Sequence, residues 1–287
     1  MSEKVNLFIV GTVKAGTTWL YDVLGTSCCV FAPNLKEPHF FTESRRSRKF
    51  MKSIETIDEY HKRIEHGKAK YLIDGSATYV SDLSIPQKIH DYNKDAKIIM
   101  MLRHPVRRAF SQYVMDIREG NDLPEFSQAL KEDVNNLGEG RMYVGLGKYF
   151  EIVKAYVDTF GAENVLIIPY IDLLRNKVEI LEDVSSMLNI PNDFSLIEIN
   201  SKKNVAAVPR NKVTKLVLKS DWLRYVLAKV VGAKVRQWVK NRLLTKSSNI
   251  ILSDEECHAL YIKYFKDDSE KLFDLLNRKM WNESRDI

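Results

Sequence analysis

A lysine between two glycines, directly after an apolar run, is the strongest chemical signal in this sequence. The apolar run 7–10 leads into the segment 11–18, which reads Gly-Thr-Val-Lys-Ala-Gly-Thr-Thr. A buried strand that ends in a glycine turn and opens a helix directs several backbone N–H groups toward one point, where the helix dipole adds partial positive charge. The Lys14 ammonium and the hydroxyls of Thr17 and Thr18 add further donors. The segment therefore predicts a phosphate-binding loop.

This loop differs from the signature GxxxxGK[ST] of the nucleotide triphosphatases. Lys14 precedes Gly16 here, and no Lys-Ser/Thr pair is present to hold magnesium. The apolar run 97–102 leads into Arg103 and not into a pair of acids. Because triphosphate chemistry needs the metal, these features disfavour a kinase or ATPase. The sequence also shows no His/Cys/acid cluster at metal-binding spacing, so we expect no metal site.

A second motif lies in the segment 98–113, where an apolar run ends at Arg103 and Ser111 follows eight residues later. Together the two segments resemble the cofactor motifs of sulfotransferases that use 3′-phosphoadenosine 5′-phosphosulfate (PAPS). The resemblance implies that Arg103 and Ser111 grip the 3′-phosphate of this co-substrate. It also implies that the loop binds the 5′-phosphosulfate, through Lys14, Ala15, Gly16, Thr17, Thr18 and Trp19.

The likeness extends over about residues 5–281, and its motif pattern is similar to that of heparan-type N- and 3-O-sulfotransferases and their bacterial relatives. The segment 34–41, Asn-Leu-Lys-Glu-Pro-His-Phe-Phe, resembles the one that carries the catalytic glutamate in those enzymes. The resemblance implies that Glu37 accepts the proton of the acceptor, with His39 as a helper. Two residues apart in an extended segment, both side chains point to the same side, so His39 as the base is the alternative.

Several positions depart from the family's pattern. Gly75 stands where the family has a lysine after the acid of its third motif, and Thr42 stands where an acid often follows the two phenylalanines. The basic C-terminal loop that supports the 3′-phosphate in relatives has no clear counterpart, and Arg210 and Lys246 are both candidates for that role. We expect the donor site to follow the family and the acceptor site to differ.

Three further residues have competing interpretations. Trp19 either stacks on an adenine or fills the core, and the second role is the safer expectation. His104 is expected to pack at a strand end, and Tyr149 to reach the acceptor.

These residues need a framework that holds them together. Apolar runs predict buried strands at 5–11, 70–76, 97–103 and 164–170. Helices are predicted between them, at 84–93, 105–118 and 147–160, and an amphipathic stretch at 253–280 ends a mostly helical C-terminal part. Alternating strands and helices predict an α/β fold with a parallel β-sheet flanked by helices, in one domain over 1–287. The resemblance implies the P-loop NTPase-like sulfotransferase fold.

The composition is typical of a folded enzyme, but the charged residues are unevenly distributed along the chain. The chain has 287 residues, of which 45% are hydrophobic and 29% are charged, and its net charge is +6. The segment 201–246 contains thirteen Lys and Arg residues and one acid, interleaved with large apolar residues. It predicts either a basic amphipathic helical segment for an anionic partner or a solvated helix face.

The sequence therefore favours a PAPS-dependent sulfotransferase that acts on a hydroxyl or amine of a glycan or glycolipid, with no nucleic-acid partner. The alternatives are a P-loop kinase of unusual loop sequence and a non-catalytic module that binds polyanions or membranes through the segment 201–246. Three cysteines without metal or disulfide spacing, and the lack of a long apolar run, predict a cytoplasmic protein. Contact with the inner face of a membrane is the alternative location. The acceptor, the sulfated position and the oligomeric state stay open.

Overall fold

The computed structural model of the chain describes residues 4–42, 54–62, 69–119, 121–135, 141–195, 207–209, 244–246 and 251–283. Its centre is a parallel sheet in the order β2-β3-β1-β4-β5. These strands are β1 (Leu7–Gly11), β2 (Val30–Phe31), β3 (Tyr71–Asp74), β4 (Lys97–Leu102) and β5 (Val165–Pro169). The predicted parallel α/β sheet is confirmed, and the two-residue edge strand β2 is an addition to it.

Helices connect these strands and cover both faces of the sheet. They are α1 (Thr17–Leu24), α2 (Ile57–Lys62), α3 (Ile85–Tyr92), α4 (Pro105–Arg118), α5 (Phe126–Asn135), α6 (Phe150–Phe160), α7 (Tyr170–Arg175), α8 (Lys177–Leu188), α9 (Asp254–Tyr264) and α10 (Lys266–Leu276). The short strands β6 (Ala207–Pro209) and β7 (Leu244–Lys246) pair antiparallel. No helix in these described ranges is long and apolar enough to cross a membrane.

Two hydrophobic clusters lie on opposite faces of the sheet. Phe8 and Val10 of β1 belong to the larger cluster, whereas Leu7 and Ile9 belong to the smaller one. The residues of β4 alternate in the same way. Successive side chains of a strand point to opposite faces, so a run buried on both faces must be apolar throughout. The apolar runs of β1 and β4 therefore reflect their central places in the sheet.

The strand order places a crevice between the carboxyl ends of β1 and β4. From β1 the chain continues toward the β2–β3 side, whereas from β4 it continues toward β5. Adjacent parallel strands whose connections leave in opposite directions open a ligand-binding crevice at their carboxyl ends. The loop after β1 and the Arg103 segment after β4 both lie at this edge.

The C-terminal part differs in detail from the prediction. The expected amphipathic stretch 253–280 forms two helices, α9 and α10, which meet at the buried Phe265. The expected helix 147–160 begins only at Phe150, where the Asp268 carboxylate accepts hydrogen bonds from the backbone N–H groups of Tyr149 and Phe150. A cap of this kind satisfies donors that a helix start leaves unpaired. Of the basic segment 201–246, the described stretches are strands β6 and β7, and the rest lies outside the described residues.

Candidate functional site

The loop between β1 and α1 turns tightly and is tied to the neighbouring strand. The Thr12 N–H donates to the Met101 carbonyl oxygen of β4 at 2.7 Å, and the Ala15 N–H donates to the Thr12 carbonyl oxygen at 3.2 Å. Gly16 has φ +89°, and a Cβ on it would lie 2.4 Å from Leu173 Cδ2. Only glycine suits this place, which explains the glycine that opens α1.

Lys14 directs its side chain from this loop toward α4. Its Nζ lies 3.6 Å from the Met115 sulfur. Burial lowers the pKa of the Lys14 ammonium, and the nearby Arg118 and Arg103 lower it further, while Glu119 and Asp116 partly oppose the shift. A half-buried cation beside two others is expected to attract an anion, because the anion would relieve both the repulsion and the loss of solvation.

Arg103 joins the second motif to the loop. Its Nη1 donates to the Lys14 carbonyl oxygen at 3.2 Å, and its guanidinium carbon lies 4.5 Å from the centre of the Tyr170 ring. These contacts fix the guanidinium at the carboxyl end of β4, next to the phosphate loop. The structure therefore brings together the two cofactor motifs predicted from the sequence.

Ser111 lies half-buried on α4, on the helix face that approaches the loop. Met115 contacts Lys14 and lies four residues after Ser111, and Arg118 follows after three more. Residues with this spacing share one face of a helix. Arg118 was not anticipated, although its spacing from Ser111 on a helix could have revealed it. Arg118 lies near enough to lower the pKa of Lys14, and the Ser111 hydroxyl belongs to the same helix face.

The segment after β2 brings Glu37 and His39 together. Glu37 Oε2 lies 3.6 Å from His39 Nε2, and His39 Nδ1 lies 2.8 Å from the Thr78 hydroxyl. The backbone N–H of His39 donates to the Ser76 hydroxyl at 3.0 Å. Burial lowers the pKa of the His39 imidazole, Glu37 opposes this shift and Lys36 adds to it. His39 is thus a neutral, buried side chain beside a carboxylate, and its catalytic role stays a prediction.

Lys36 connects this segment to the phosphate loop, and the sequence analysis did not identify it. Its Nζ donates to Glu37 Oε1 at 2.7 Å and to the Thr17 hydroxyl at 3.2 Å. The Gly75 N–H donates to the Lys36 carbonyl oxygen at 2.9 Å. The signal available in the sequence was the lysine next to Glu37 combined with the glycine at 75 in place of a lysine.

The remaining residues predicted to bind the co-substrate lie in the core, at the surface or outside the described part of the chain. Trp19 is 6% exposed and packs in the smaller hydrophobic cluster, with Lys177 Nζ 5.5 Å from its ring centre. Thr18 is exposed at the start of α1. Arg210 lies outside the described residues, and for Lys246 the structure describes only its place at the end of β7.

Two aromatic residues near Arg103, His104 and Tyr149, are buried in the core. His104 is buried against Tyr261 and Trp281, and burial lowers the pKa of its imidazole to about 4. This agrees with the expected packing at a strand end. The expectation that Tyr149 reaches the acceptor is wrong, because this residue is buried and its hydroxyl donates to the Arg103 carbonyl oxygen at 2.9 Å. Tyr149 supports the backbone of Arg103.

The donors of this site fit an organic phosphate ester. Arg103 contacts the loop that carries Lys14 and opens α1, and ammonium, guanidinium and backbone N–H groups all prefer anionic oxygens. Across the part of the chain that the structure describes, no group of three or more His, Cys, Asp and Glu side chains is arranged to hold a metal ion.

Comparisons with known proteins agree with this geometry. The family model described as "Sulfotransferase domain" matches residues 4–248. The chain is 30% identical over 118 residues to heparan sulfate glucosamine 3-O-sulfotransferase 3A1 of Mus musculus, covering 41% of this chain and 28% of that protein. It is 24% identical over 246 residues to carbohydrate sulfotransferase 15 of Mus musculus, covering 64% of this chain and 44% of that protein. It thus spans less than half the length of these two relatives.

A solved structure shows the same fold over nearly the whole chain. The crystal structure of a sulfotransferase from Alicyclobacillus acidocaldarius superposes with a TM-score of 0.69 at 23% identity. The alignment covers 96% of each chain.

Proposed function

The chain belongs to the sulfotransferase domain family, and from this premise we propose that it transfers a sulfuryl group from PAPS to a hydroxyl or amine of a carbohydrate. The observation that carries the proposal is the contact between the two cofactor motifs, in which the Arg103 guanidinium donates to the Lys14 carbonyl oxygen. A nucleotide with phosphates at both its 3′ and 5′ positions matches two cationic centres held beside each other in this way.

Each residue of the site then has a role in the transfer. The loop amides, Lys14 and the threonine hydroxyls hold the 5′-phosphosulfate, while Arg103 and Ser111 bind the 3′-phosphate. Sulfuryl transfer places growing negative charge on the leaving phosphate, and a preorganised ammonium stabilises that charge. The acceptor must lose a proton as its bond to sulfur forms, and Glu37 is the base we propose. His39 holds Glu37 in place from the buried side.

The names of the relatives support a carbohydrate acceptor. One relative is named for the glucosamine of heparan sulfate and the other for carbohydrates. The basic segment 201–246 fits an acidic glycan or an anionic membrane surface as partner, because thirteen of its residues are basic. The cytoplasmic location stays a prediction.

The experiment that tests the proposal is transfer of label from ³⁵S-labelled PAPS to a panel of acceptors. The panel contains desulfated heparan sulfate, N-deacetylated heparan sulfate, chondroitin and glycolipids, and the Lys14→Ala variant is the control. We expect label on at least one carbohydrate, at a rate that falls strongly in Lys14→Ala. Magnesium-dependent transfer from ³²P-labelled ATP, without any sulfuryl transfer, would contradict the proposal and favour the kinase alternative.

A further inference from the structure

Lys36 places a second ammonium at the phosphate loop, with a different partner from that of Lys14. Its Nζ donates to the Thr17 hydroxyl at 3.2 Å, in the first turn of α1. The Lys14 ammonium instead points to Met115 on α4. We propose that Lys36 is a second cation that acts directly on the 5′ end of the donor, in addition to its contact with Glu37. This inference rests on the proposed function.

Gly75 leaves room for the aliphatic part of the Lys36 side chain. A Cβ on Gly75 would lie 3.0 Å from Lys36 Cγ and 2.7 Å from Tyr21 Cδ2. Contacts this short would displace the lysine stem or the buried tyrosine ring. The Gly75 N–H also bonds to the Lys36 carbonyl oxygen. The residue after β3 therefore leaves the space through which the lysine reaches the loop.

The electrostatics of this place favour an anionic ligand for Lys36. An ammonium at the start of a helix faces the positive end of the helix dipole, which disfavours a cation there on its own. Glu37 Oε1, at 2.7 Å, offsets part of this cost. A bound phosphosulfate would supply more negative charge at the same point, so Glu37 and the donor share one ammonium.

The shared ammonium links the two halves of the reaction. An electron pair of the acceptor oxygen forms the new bond to sulfur while the bond from sulfur to the phosphate oxygen breaks, and that bond's electron pair stays on the phosphate. The proton of the acceptor hydroxyl moves to the Glu37 carboxylate. Lys36 keeps its own protons and stabilises the charge that grows on the leaving phosphate oxygen.

The alternative role for Lys36 is purely to position Glu37. The two roles separate in a Glu37→Gln background, where no carboxylate is left to position. Lys36→Met keeps most of the stem that packs over Gly75 but removes the charge, and Lys36→Arg keeps the charge. The matched control is Lys154→Met, which removes the ammonium of another lysine paired with a carboxylate, that of Asp158 on the surface of α6.

The first measurement is calorimetric affinity for adenosine 3′,5′-bisphosphate and for adenosine 3′-monophosphate. In the Glu37→Gln background we expect Lys36→Met to weaken bisphosphate binding by about tenfold, the scale of one hydrogen bond to a charged group. Affinity for the monophosphate, which lacks the 5′ group, should stay within about twofold. Lys36→Arg should restore most of the bisphosphate affinity, and Lys154→Met should leave both affinities unchanged.

The second measurement is single-turnover transfer at saturating PAPS, with the acceptor found in the panel experiment. Lys36→Met alone should lower the rate by about 10²–10³-fold, the range for losing one stabilising donor. Equal bisphosphate affinity in Glu37→Gln and in the double variant would overturn the inference and leave Lys36 as a positioning residue. A wild-type protein that neither binds the bisphosphate nor transfers sulfuryl groups would overturn the proposed function itself. The two failures are therefore distinguishable.

Discussion

At the scale of single residues, the site brings the cations Arg103 and Lys14 together beside the phosphate loop. Arg103 stacks on Tyr170 and donates to a backbone carbonyl oxygen, and Lys14 lies against a methionine sulfur. Burial lowers the pKa of the Lys14 ammonium, and the nearby Arg118 and Arg103 lower it further. An anion bound here would offset both the repulsion among these cations and the burial of the Lys14 ammonium.

The role of Arg103 leads to the first prediction. Arg103→Ala should weaken binding of adenosine 3′,5′-bisphosphate by roughly 1.5–3 kcal/mol, the range for a hydrogen bond to a charged group. Adenosine 5′-phosphosulfate lacks the 3′-phosphate, so its affinity should change much less. Titration calorimetry with both nucleotides makes the comparison. Equal losses for the two would mean that Arg103 acts by holding the loop through the Lys14 carbonyl oxygen, and not by binding the 3′-phosphate.

The second prediction concerns the base. Glu37→Gln keeps the size of the side chain and an oxygen for Lys36, but it cannot take the acceptor's proton. We expect single-turnover transfer to fall by roughly 10²–10⁴-fold, the range for general acid–base catalysis. His39→Asn should reduce the rate by less than about tenfold, since its role is to hold Glu37.

A pH–rate profile separates these two bases poorly, because burial already lowers the pKa of His39. The pair of variants is therefore the decisive measurement. If His39→Asn lowered the transfer rate more than Glu37→Gln does, His39 would be the base and Glu37 the residue that holds it.

At the scale of elements, the places where strands end decide which residues meet. The apolar runs made β1, β4 and their following segments predictable, because a central parallel strand must be apolar on both faces. Lys36 was not predicted because its position depends on a turn around Gly75, after β3. No hydrophobic periodicity in the sequence indicates that turn. Tyr149 was misplaced because hydrophobic patterns do not show that a tyrosine hydroxyl has a backbone partner inside the core.

A buried carboxylate at the end of β3 leads to the third prediction. Asp74 Oδ2 accepts hydrogen bonds from the hydroxyls of Tyr60 at 2.8 Å and Tyr79 at 2.9 Å. Burial raises the pKa of Asp74 to about 6, although these hydrogen bonds oppose the shift. A folded-state pKa above the unfolded value means that the folded protein binds this proton more tightly. The contribution of Asp74 to stability therefore rises as the pH falls from 7.5 through 6.

Tyr60→Phe should consequently have a pH-dependent cost. At pH 7.5 it removes a hydrogen bond to a charged carboxylate and should lower the free energy of unfolding by roughly 1.5–3 kcal/mol. At pH 5, where Asp74 is protonated, the loss should be smaller. The control is Tyr71→Phe, whose hydroxyl donates to the neutral Leu188 carbonyl oxygen at 2.9 Å, so that its cost should not change with pH. Urea unfolding at both pH values measures the difference, and an equal cost of Tyr60→Phe at both would contradict the assignment.

At the scale of the whole molecule, one crevice joins the sheet, the loop and the segment that carries Glu37. In the proposed function, the loop after β1 holds one end of a nucleotide, and Arg103 with α4, after β4, holds the other. The segment 34–41 reaches the same helix start through the Lys36–Thr17 contact. Ligand specificity is thus a property of the assembled fold, because the cationic groups come from separate parts of the chain.

This arrangement leads to the last prediction, which compares whole ligands. A nucleotide with phosphates at both its 3′ and 5′ positions engages Arg103 and the loop together, whereas ATP offers its charge only at the 5′ end. For an assumed dissociation constant of ~1 μM, adenosine 3′,5′-bisphosphate at a thousandfold excess would stabilise the folded protein by about 4 kcal/mol. Such a gain raises the melting temperature by several degrees.

ATP with magnesium, which needs a metal-holding Lys-Ser/Thr pair that this loop lacks, should raise the melting temperature far less. Differential scanning fluorimetry with the two ligands at equal concentration makes the comparison. Equal stabilisation by both would mean that the crevice recognises phosphate at one end only, and the assignment of Arg103 and Ser111 to a 3′-phosphate would then be wrong.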